Sequence, residues 1–321
     1  LPSDHEIVAV FKKHLIKNPE KIDEIPKRGA SHVSIVGVIV VFGAVIGGFA
    51  MAGGNLMVLF QPVELLIIGG SAAGSLLISC STSQLKRIIH AITGVFTGGG
   101  ISKDAYLELL KLLFEITKTA KANPLSIEAH VDNPEGSEIF KKYPGVLKNH
   151  HALGFLCDTL KVQLSGSMSP YDLEDLMDAD MAAAHAEEFQ VPSTVSRIGD
   201  AMPGLGIVAA VLGVVLTMGK LTQGKEVIGH SVAAALVGTF IGILLSYGLF
   251  QPISAKIEGN LNAEGDYIKC IKACLLAFAK NCGPKVCVEF SRRTIPPEVR
   301  PTFQEVDAAT SSGGGKEAKA A

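Results

Sequence analysis

Two acids stand at the ends of long apolar runs, and they are the first candidates for chemistry in this sequence. Asp200 opens the stretch DAMPGLGIVAAVLGVVLTMGK, where Pro203 follows and no further charge comes until Lys220. Glu64 stands beside Pro62 at the outer end of another apolar run. A carboxyl group in such a place can take up a proton, hold a cation or accept backbone donors at a helix start. The middles of the runs hold no ionisable residue, although such a residue, costing roughly 2.5–3.5 kcal/mol to insert, is what marks an ion route through lipid. If the chain helps to move ions, the carrier at mid-membrane must come from another protein. Other constellations carry less. TGGG at 97–100 lacks the Lys-Ser/Thr of a phosphate loop. His150 and His151 are adjacent, and adjacent helical residues do not share a face, so they read as a solvated pair. Cys270, Cys274, Cys282 and Cys287 are spaced C-x3-C-x7-C-x4-C, which fits no familiar zinc pattern and reads as small apolar packing. No Ser, His and acid are placed as a triad, so the chain is not read as an enzyme, and no metal or cofactor is expected.

The elements that must position Asp200 and Glu64 are membrane helices. Mean hydropathy is +0.35 and hydrophobic residues make up 48% of the chain, with charged residues at 19%, below the roughly 25% of soluble proteins. The net charge of -2 and the lack of a basic stripe argue against nucleic acid. Apolar stretches cover residues 33–52, 63–81, 201–218 and 232–250, each near the roughly 20 residues that cross hydrocarbon. The fold class expected is therefore all-α, a polytopic membrane protein with four transmembrane helices and a large helical cytoplasmic domain. Lys86 and Arg87 follow the second stretch, Arg197 precedes the third and Lys256 follows the fourth, whereas GGNLMVLFQP after the first is uncharged. That distribution puts both termini and residues 83–196 in the cytoplasm. There the cysteines stay reduced.

The expected organisation has a cytoplasmic extension at 1–31, transmembrane helices 1 and 2 at 32–82 and a helical cytoplasmic domain at 83–196. Transmembrane helices 3 and 4 follow at 197–252, then a cytoplasmic helical segment at 253–306 and a disordered tail at 307–321. Within the extension, Ile7, Val8, Phe11 and Leu15 outline a short helix. Ser102 and Ser169 read as helix caps, the latter with Pro170 in the first helical position and Asp172 three residues on. Small residues recur at every fourth position: Gly43 and Gly47; Gly70 and Gly74; Gly206 and Ala210; Ala234, Gly238, Gly242 and Ser246. Such stripes let helices approach closely, either within one bundle or between chains.

The runs GDAMPGLGIVAAVLGVVLTMG and LVGTFIGILLSYGLFQPI resemble the third and fourth membrane helices of the MotA family, the stator subunit of the bacterial flagellar motor. GGNLMVLFQPVELLIIGG, NPEGSEIFKKYP and VEFSRRTIPPEVRPTF resemble further family segments in the same order, so the likeness spans about residues 32–306. The resemblance implies a bacterial inner-membrane protein in which five such chains surround two MotB-type chains. The partner, a single-span peptidoglycan-binding protein, carries the aspartate that takes up and releases the proton. By the same resemblance, Thr239 and Ala210 line the path beside that carboxylate, and Asp200, Pro203 and Pro252 form the coupling region at the inner helix ends. Lys121 and Glu128 fall where the family meets the rotor protein FliG. Lys121 stands where relatives carry Arg, and Leu216 replaces a polar or basic residue. The coupling ion implied is H+, since the third helix has no side-chain oxygen between Pro203 and Thr217 to dress a sodium ion.

Plainer roles stand beside these. Asp200 can cap a helix start with Pro203 in its first turn, and Thr239 can return its hydroxyl to the preceding turn. Lys121 and Glu128 can be solvated charges, and Glu64 an interfacial acid. Two other functions fit a membrane chain of this kind: an ExbB/TolQ-like proton-channel subunit energising an outer-membrane process, and a scaffold that transports nothing. The fourth span and the C-terminal signature count against the ExbB/TolQ reading.

Overall fold

The computed structural model describes residues 30–311 apart from 99, 167, 220, 221 and 223, so the expected helix near Phe11 and the last ten residues lie outside the described residues. Every regular element among them is helical. The membrane half opens with α1 (Ala30–Met51), a single turn α2 (Leu56–Leu59) and α3 (Pro62–Ser79). A surface helix α4 (Thr82–Thr97) follows, started by a reciprocal capping box between Ser81 and Gln84. The next helices are α5 (Lys103–Ala122), α6 (Pro124–Asp132), α7 (Pro144–Leu147), α8 (His150–Leu164) and α9 (Pro170–Glu188). The chain then returns through α10 (Gln190–Met218) and α11 (Lys225–Leu245). A π-helical turn at Ser246–Phe250 joins α11 to α12 (Gln251–Ala279), and α13 (Pro284–Thr294) and α14 (Phe303–Ser311) close the chain. Four helices are long and apolar enough to cross a membrane: α1, α3 with α2, the apolar part of α10, and α11.

The non-membrane helices have a core of their own, built around α5. Ser102 caps that helix by accepting from the Ala105 amide at 3.2 Å, as its position before an apolar periodicity requires. Leu109, Leu110, Leu112, Leu113 and Ile116 are all fully buried, against Phe140, Leu156, Leu160, Ile271 and Leu275. Each such side chain contributes about 1.5–3 kcal/mol on burial. Cys270, Cys274 and Cys287 are buried in the same core, and burial pushes their thiols up, Cys270 to about 12 and Cys287 to about 11. They pack as protonated apolar groups.

Helix boundaries differ from the sequence expectation in three places. α10 begins at Gln190, three turns before Pro203, so residue 197 lies inside a helix and opens no new element. The change of hydropathy at Ala201 reports where the surroundings change, and the backbone runs through it. At the other end the fourth span does not stop at Pro252 but passes through the π-turn into α12, which reaches the core around α5. Finally α14 extends to Ser311, past the expected start of the tail, held by Val306 in the core and by a Lys285–Asp307 ion pair at 2.8 Å.

Candidate functional site

α10 and α11 form a hairpin in which glycine replaces side chains at the crossing. A Cβ added to Gly206 would stand 2.8 Å from the Gly238 carbonyl oxygen, and one on Gly242 would stand 2.5 Å from that of Met202. Higher up, a Cβ on Gly213 would meet that of Ala235 at 2.7 Å. The stripes on these two helices are thus spent on each other. Gly43, Gly47, Gly70 and Gly74 have nothing within 4 Å of an added Cβ, so their close-approach surfaces are unused inside the chain.

Ala210 and Thr239 both lie at this crossing, each against a glycine of the facing helix. The Ala210 nitrogen is 3.4 Å from where a Cβ on Gly238 would stand, and the Thr239 Cα is 3.2 Å from where one on Gly206 would stand. Both residues are half-buried. Thr217 Oγ1 donates back to the Gly213 carbonyl at 2.8 Å, the usual habit of a membrane threonine. Thr239 makes no such bond to a described residue, so its hydroxyl is available. Leu216 is 66% exposed, on the outer part of α10 away from this contact.

Asp200 and the two prolines lie at the inner end of the same hairpin. Pro203 is inside α10, so the reading of Asp200 as a cap with Pro203 in the first turn does not hold. Proline there leaves the Gly199 carbonyl without its amide donor and crowds it, which bends a helix that continues through it. Pro252 does the same to Gly248 on the neighbouring helix, and the π-turn at Ser246–Phe250 is the local answer. Gly248 is also where α1 touches the site, since its Cβ would stand 2.9 Å from Val41 Cγ1. The two irregular points are tied by Gln251. Its Nε2 donates to Asp200 Oδ1 at 2.7 Å, and its Oε1 accepts from Ser196 Oγ at 3.3 Å. A turn further in, buried Ser254 donates to the Pro192 carbonyl at 2.8 Å. Gln251 was missed in the sequence. Its position directly before Pro252 was the available signal.

The rotor-facing candidates are on adjoining helices of the separate domain. Lys121, in the last turn of α5, donates its Nζ to the carbonyls of Asn281 and Cys282 at 3.3 and 3.2 Å. It thereby stabilises the carbonyl end that follows α12. Lys121 remains exposed, as is Glu128 on α6. His150 and His151 are exposed too, but His151 Nδ1 lies 3.5 Å from Glu188 Oε1. Burial pushes the Glu188 carboxyl up, and His151 opposes that shift. No group of His, Cys, Asp and Glu able to hold a metal ion occurs among the described residues.

Glu64 lies in the first turn of α3, the end of the second span expected for it. It is only 8% exposed, its carboxyl turned toward α10, with Oε1 3.6 Å from where a Cβ on Gly213 would stand. It is therefore a largely buried acid in the first turn of α3, packed toward the neighbouring helix.

Comparison with known proteins agrees with this arrangement. A family model described as Motility protein A N-terminal matches residues 35–124, and one described as the MotA/TolQ/ExbB proton channel family matches residues 149–269. Motility protein A of Salmonella typhimurium is 36% identical over 275 residues, covering 85% of this chain and 93% of its own. Chemotaxis protein LafT of Vibrio parahaemolyticus is 34% identical, with 85% and 96% covered. Among solved structures, C. jejuni MotAB superimposes with a TM-score of 0.68 at 19% identity, covering 84% of this chain and 98% of that one. The flagellar MotAB stator complex of Bacillus subtilis gives 0.67 at 21% identity, with 84% and 98% covered. With two family models in register and relatives above 30% identity along nearly their whole length, this chain belongs to the MotA/TolQ/ExbB proton channel family.

Proposed function

We propose that this chain is a stator subunit of the flagellar motor, which with a MotB-type partner forms a proton channel and converts proton flow into torque. It works as one copy in an oligomeric stator complex in a bacterial inner membrane, crossing it four times. The observation that carries the reading is that both helices of the Ala210–Thr239 hairpin continue past a proline, Pro203 in one and Pro252 after the π-turn in the other, with Gln251 bonded to Asp200 between them. α12 ends in the core that holds α5, so a change beside the partner's acid has a continuous route to that domain. In this reading Thr239 and Ala210 line the proton path, and Asp200, Pro203 and Pro252 form the coupling hinge. Lys121 and Glu128 present alternating charge to a FliG-type rotor protein. Five chains around two partner chains, with both termini and residues 83–196 in the cytoplasm, complete the proposal. No catalytic residue is assigned.

The family also holds ExbB and TolQ subunits, but the fourth membrane-length helix favours the motor reading. The test is deletion of the gene and complementation. Loss of swimming with flagella still assembled, restored by this chain together with its partner, is the expected result. Swimming that persists in the deletion strain, with a defect in outer-membrane transport instead, would overturn it.

A further inference from the structure

Glu64 is the buried acid of the membrane half that the roles above leave unused. Its carboxyl lies where α3 packs on the α10–α11 hairpin, at the level of Gly213 and Ala235. Among the described residues it has no hydrogen-bond donor or cation, and it is 8% exposed. An acid kept in lipid surroundings without a partner is costly, and such groups are retained where protons or ions pass. Its place relative to the path is set by helix arithmetic. Ala210 is three residues inward of Gly213 on α10, and Thr239 is four residues inward of Ala235 on α11. At a rise of 1.5 Å per residue, Glu64 is therefore about 5 Å outward of both. The glycine at 213 admits Ala235 closely, while a Cβ there would stand at an ordinary contact distance of 3.6 Å from Glu64 Oε1.

We infer that Glu64 is a proton-relay site at the outer end of the path between α3, α10 and α11. This rests on the proposed channel function. The carboxylate takes a proton from the outer side and releases it inward, through water or the free Thr239 hydroxyl, to the partner's acid. Each cycle regenerates the carboxylate, so no other reactant is consumed. Few groups compete for that task. From Ala201 to Met218, α10 has no titratable side chain, and neither do α2 and the rest of α3. On α11 the titratable residues are Lys225, Glu226 and His230, all within its first six positions, with Lys225 and Glu226 exposed.

The test uses the full chain co-expressed with its partner, and follows bead rotation by single motors at low and high load. Glu64→Gln keeps the shape of the side chain and removes its proton site. At low load, where proton uptake limits speed, the variant is expected to match the wild type near an external pH of about 6. It is expected to slow by about tenfold or more near pH 8, as loss of an acid–base group does. Torque at high load should be unchanged, which a packing defect would not spare. Glu64→Asp, which restores a carboxyl, should recover most of the low-load speed. The series is repeated with His230→Asn, since histidine titrates in the same range. A Glu64→Gln motor that follows the wild type at every pH overturns the inference. So does one that loses torque at all loads without rescue by Glu64→Asp, or a pH effect that disappears with His230→Asn. A wild-type chain that drives no rotation would instead refute the channel function itself.

Discussion

Replacing Pro203 with alanine tests the coupling hinge most directly. Pro203 is in the middle of a 29-residue helix and denies the Gly199 carbonyl its amide donor. Proline in a helix interior is about 3 kcal/mol less favourable than alanine. Gly199 is itself wedged beside the second bend, since an added Cβ would be 3.2 Å from both Phe250 Cβ and Gln251 Nε2. Pro203→Ala restores the donor and favours a straight α10 by up to about 3 kcal/mol, which shifts a bent-to-straight balance by roughly a hundredfold. A motor that must bend and relax once per step would then rotate more slowly by tenfold or more, on the same scale. Membrane levels and the melting temperature of the purified complex should not fall, because the substitution strengthens the helix. Bead rotation in a deletion strain supplies the first readout and a melting scan of the detergent-solubilised complex the second. Normal rotation by Pro203→Ala would refute the hinge. Slow rotation with a lowered melting temperature would refute the reasoning behind it, because the loss would then come from damaged packing.

Four further outcomes follow from the geometry. Gln251→Ala removes a hydrogen bond worth about 0.5–1.5 kcal/mol and should slow swimming modestly, whereas Gln251→Glu sets a second carboxylate against Asp200 and should be clearly worse; equal swim-plate diameters would separate Gln251 from coupling. Lys121→Ala should impair motility only in part, since an exposed charge is worth roughly 0.2–1 kcal/mol, while reversing Lys121 and Glu128 together should nearly abolish it; if the double reversal swims as well as Lys121→Ala, neither residue meets the rotor. A single cysteine at Asn55, in a cysteine-free background, should react with an impermeant thiol reagent in intact spheroplasts, and one at Lys141 should not; the reverse pattern would invert the topology. Glu289, held down to about 2 by Arg292 at 2.8 Å and then by Arg293, contributes stability that is full above its ordinary value of 4.5 and is lost as pH falls toward 2. Glu289→Gln should therefore lower the melting temperature of the complex at neutral pH, with the difference from wild type shrinking below about pH 4, and a difference independent of pH would assign the effect to packing.

Much of this architecture was legible because it depends on solvent. Lipid demands apolar runs of fixed length, so the four spans could be counted from composition, and Ser102 and Ser169 announced their helices because a cap is a local contact. What depends on relative placement was not legible. Pro203 looked like a helix start because a change in hydropathy and a helix boundary look alike in sequence, and α10 carries the first without the second. Gln251 and Asp200 are 51 residues apart, and only the antiparallel return of the fourth span joins them. Glu64 was visible as an acid, but its burial depends on how α3 packs against the α10–α11 hairpin. The small-residue stripes had two readings with the same spacing, and the structure realises packing within the chain for one pair of helices only. The stripes of α10 and α11 fill each other, while Gly43, Gly47, Gly70 and Gly74 face outward from the chain.

That division bears on how the molecule can move. With glycine at Gly206, Gly238 and Gly242, α10 and α11 touch backbone to backbone, and such a contact has no side chains that could repack as one helix slides on the other. In the proposed function the membrane part of the hairpin therefore moves as a unit. Its length reinforces the point: 29 residues of α10 extend about 44 Å, while the α11–π-turn–α12 series is longer still. In the proposed function a tilt of the membrane part is passed across the hinge to α12, where Cys270, Ile271 and Cys274 are locked into the core around α5. Compliance is confined to Pro203 and the π-turn, and Gln251 bridges the two so that neither bends alone. α1, by contrast, touches this assembly at Gly248 and otherwise presents most of its surface outward, which leaves the hairpin free to tilt against an outer frame. In the proposed function the glycine contacts, the paired prolines and the shared glutamine thus act as one lever with one hinge, whose membrane arm carries Ala210 and Thr239.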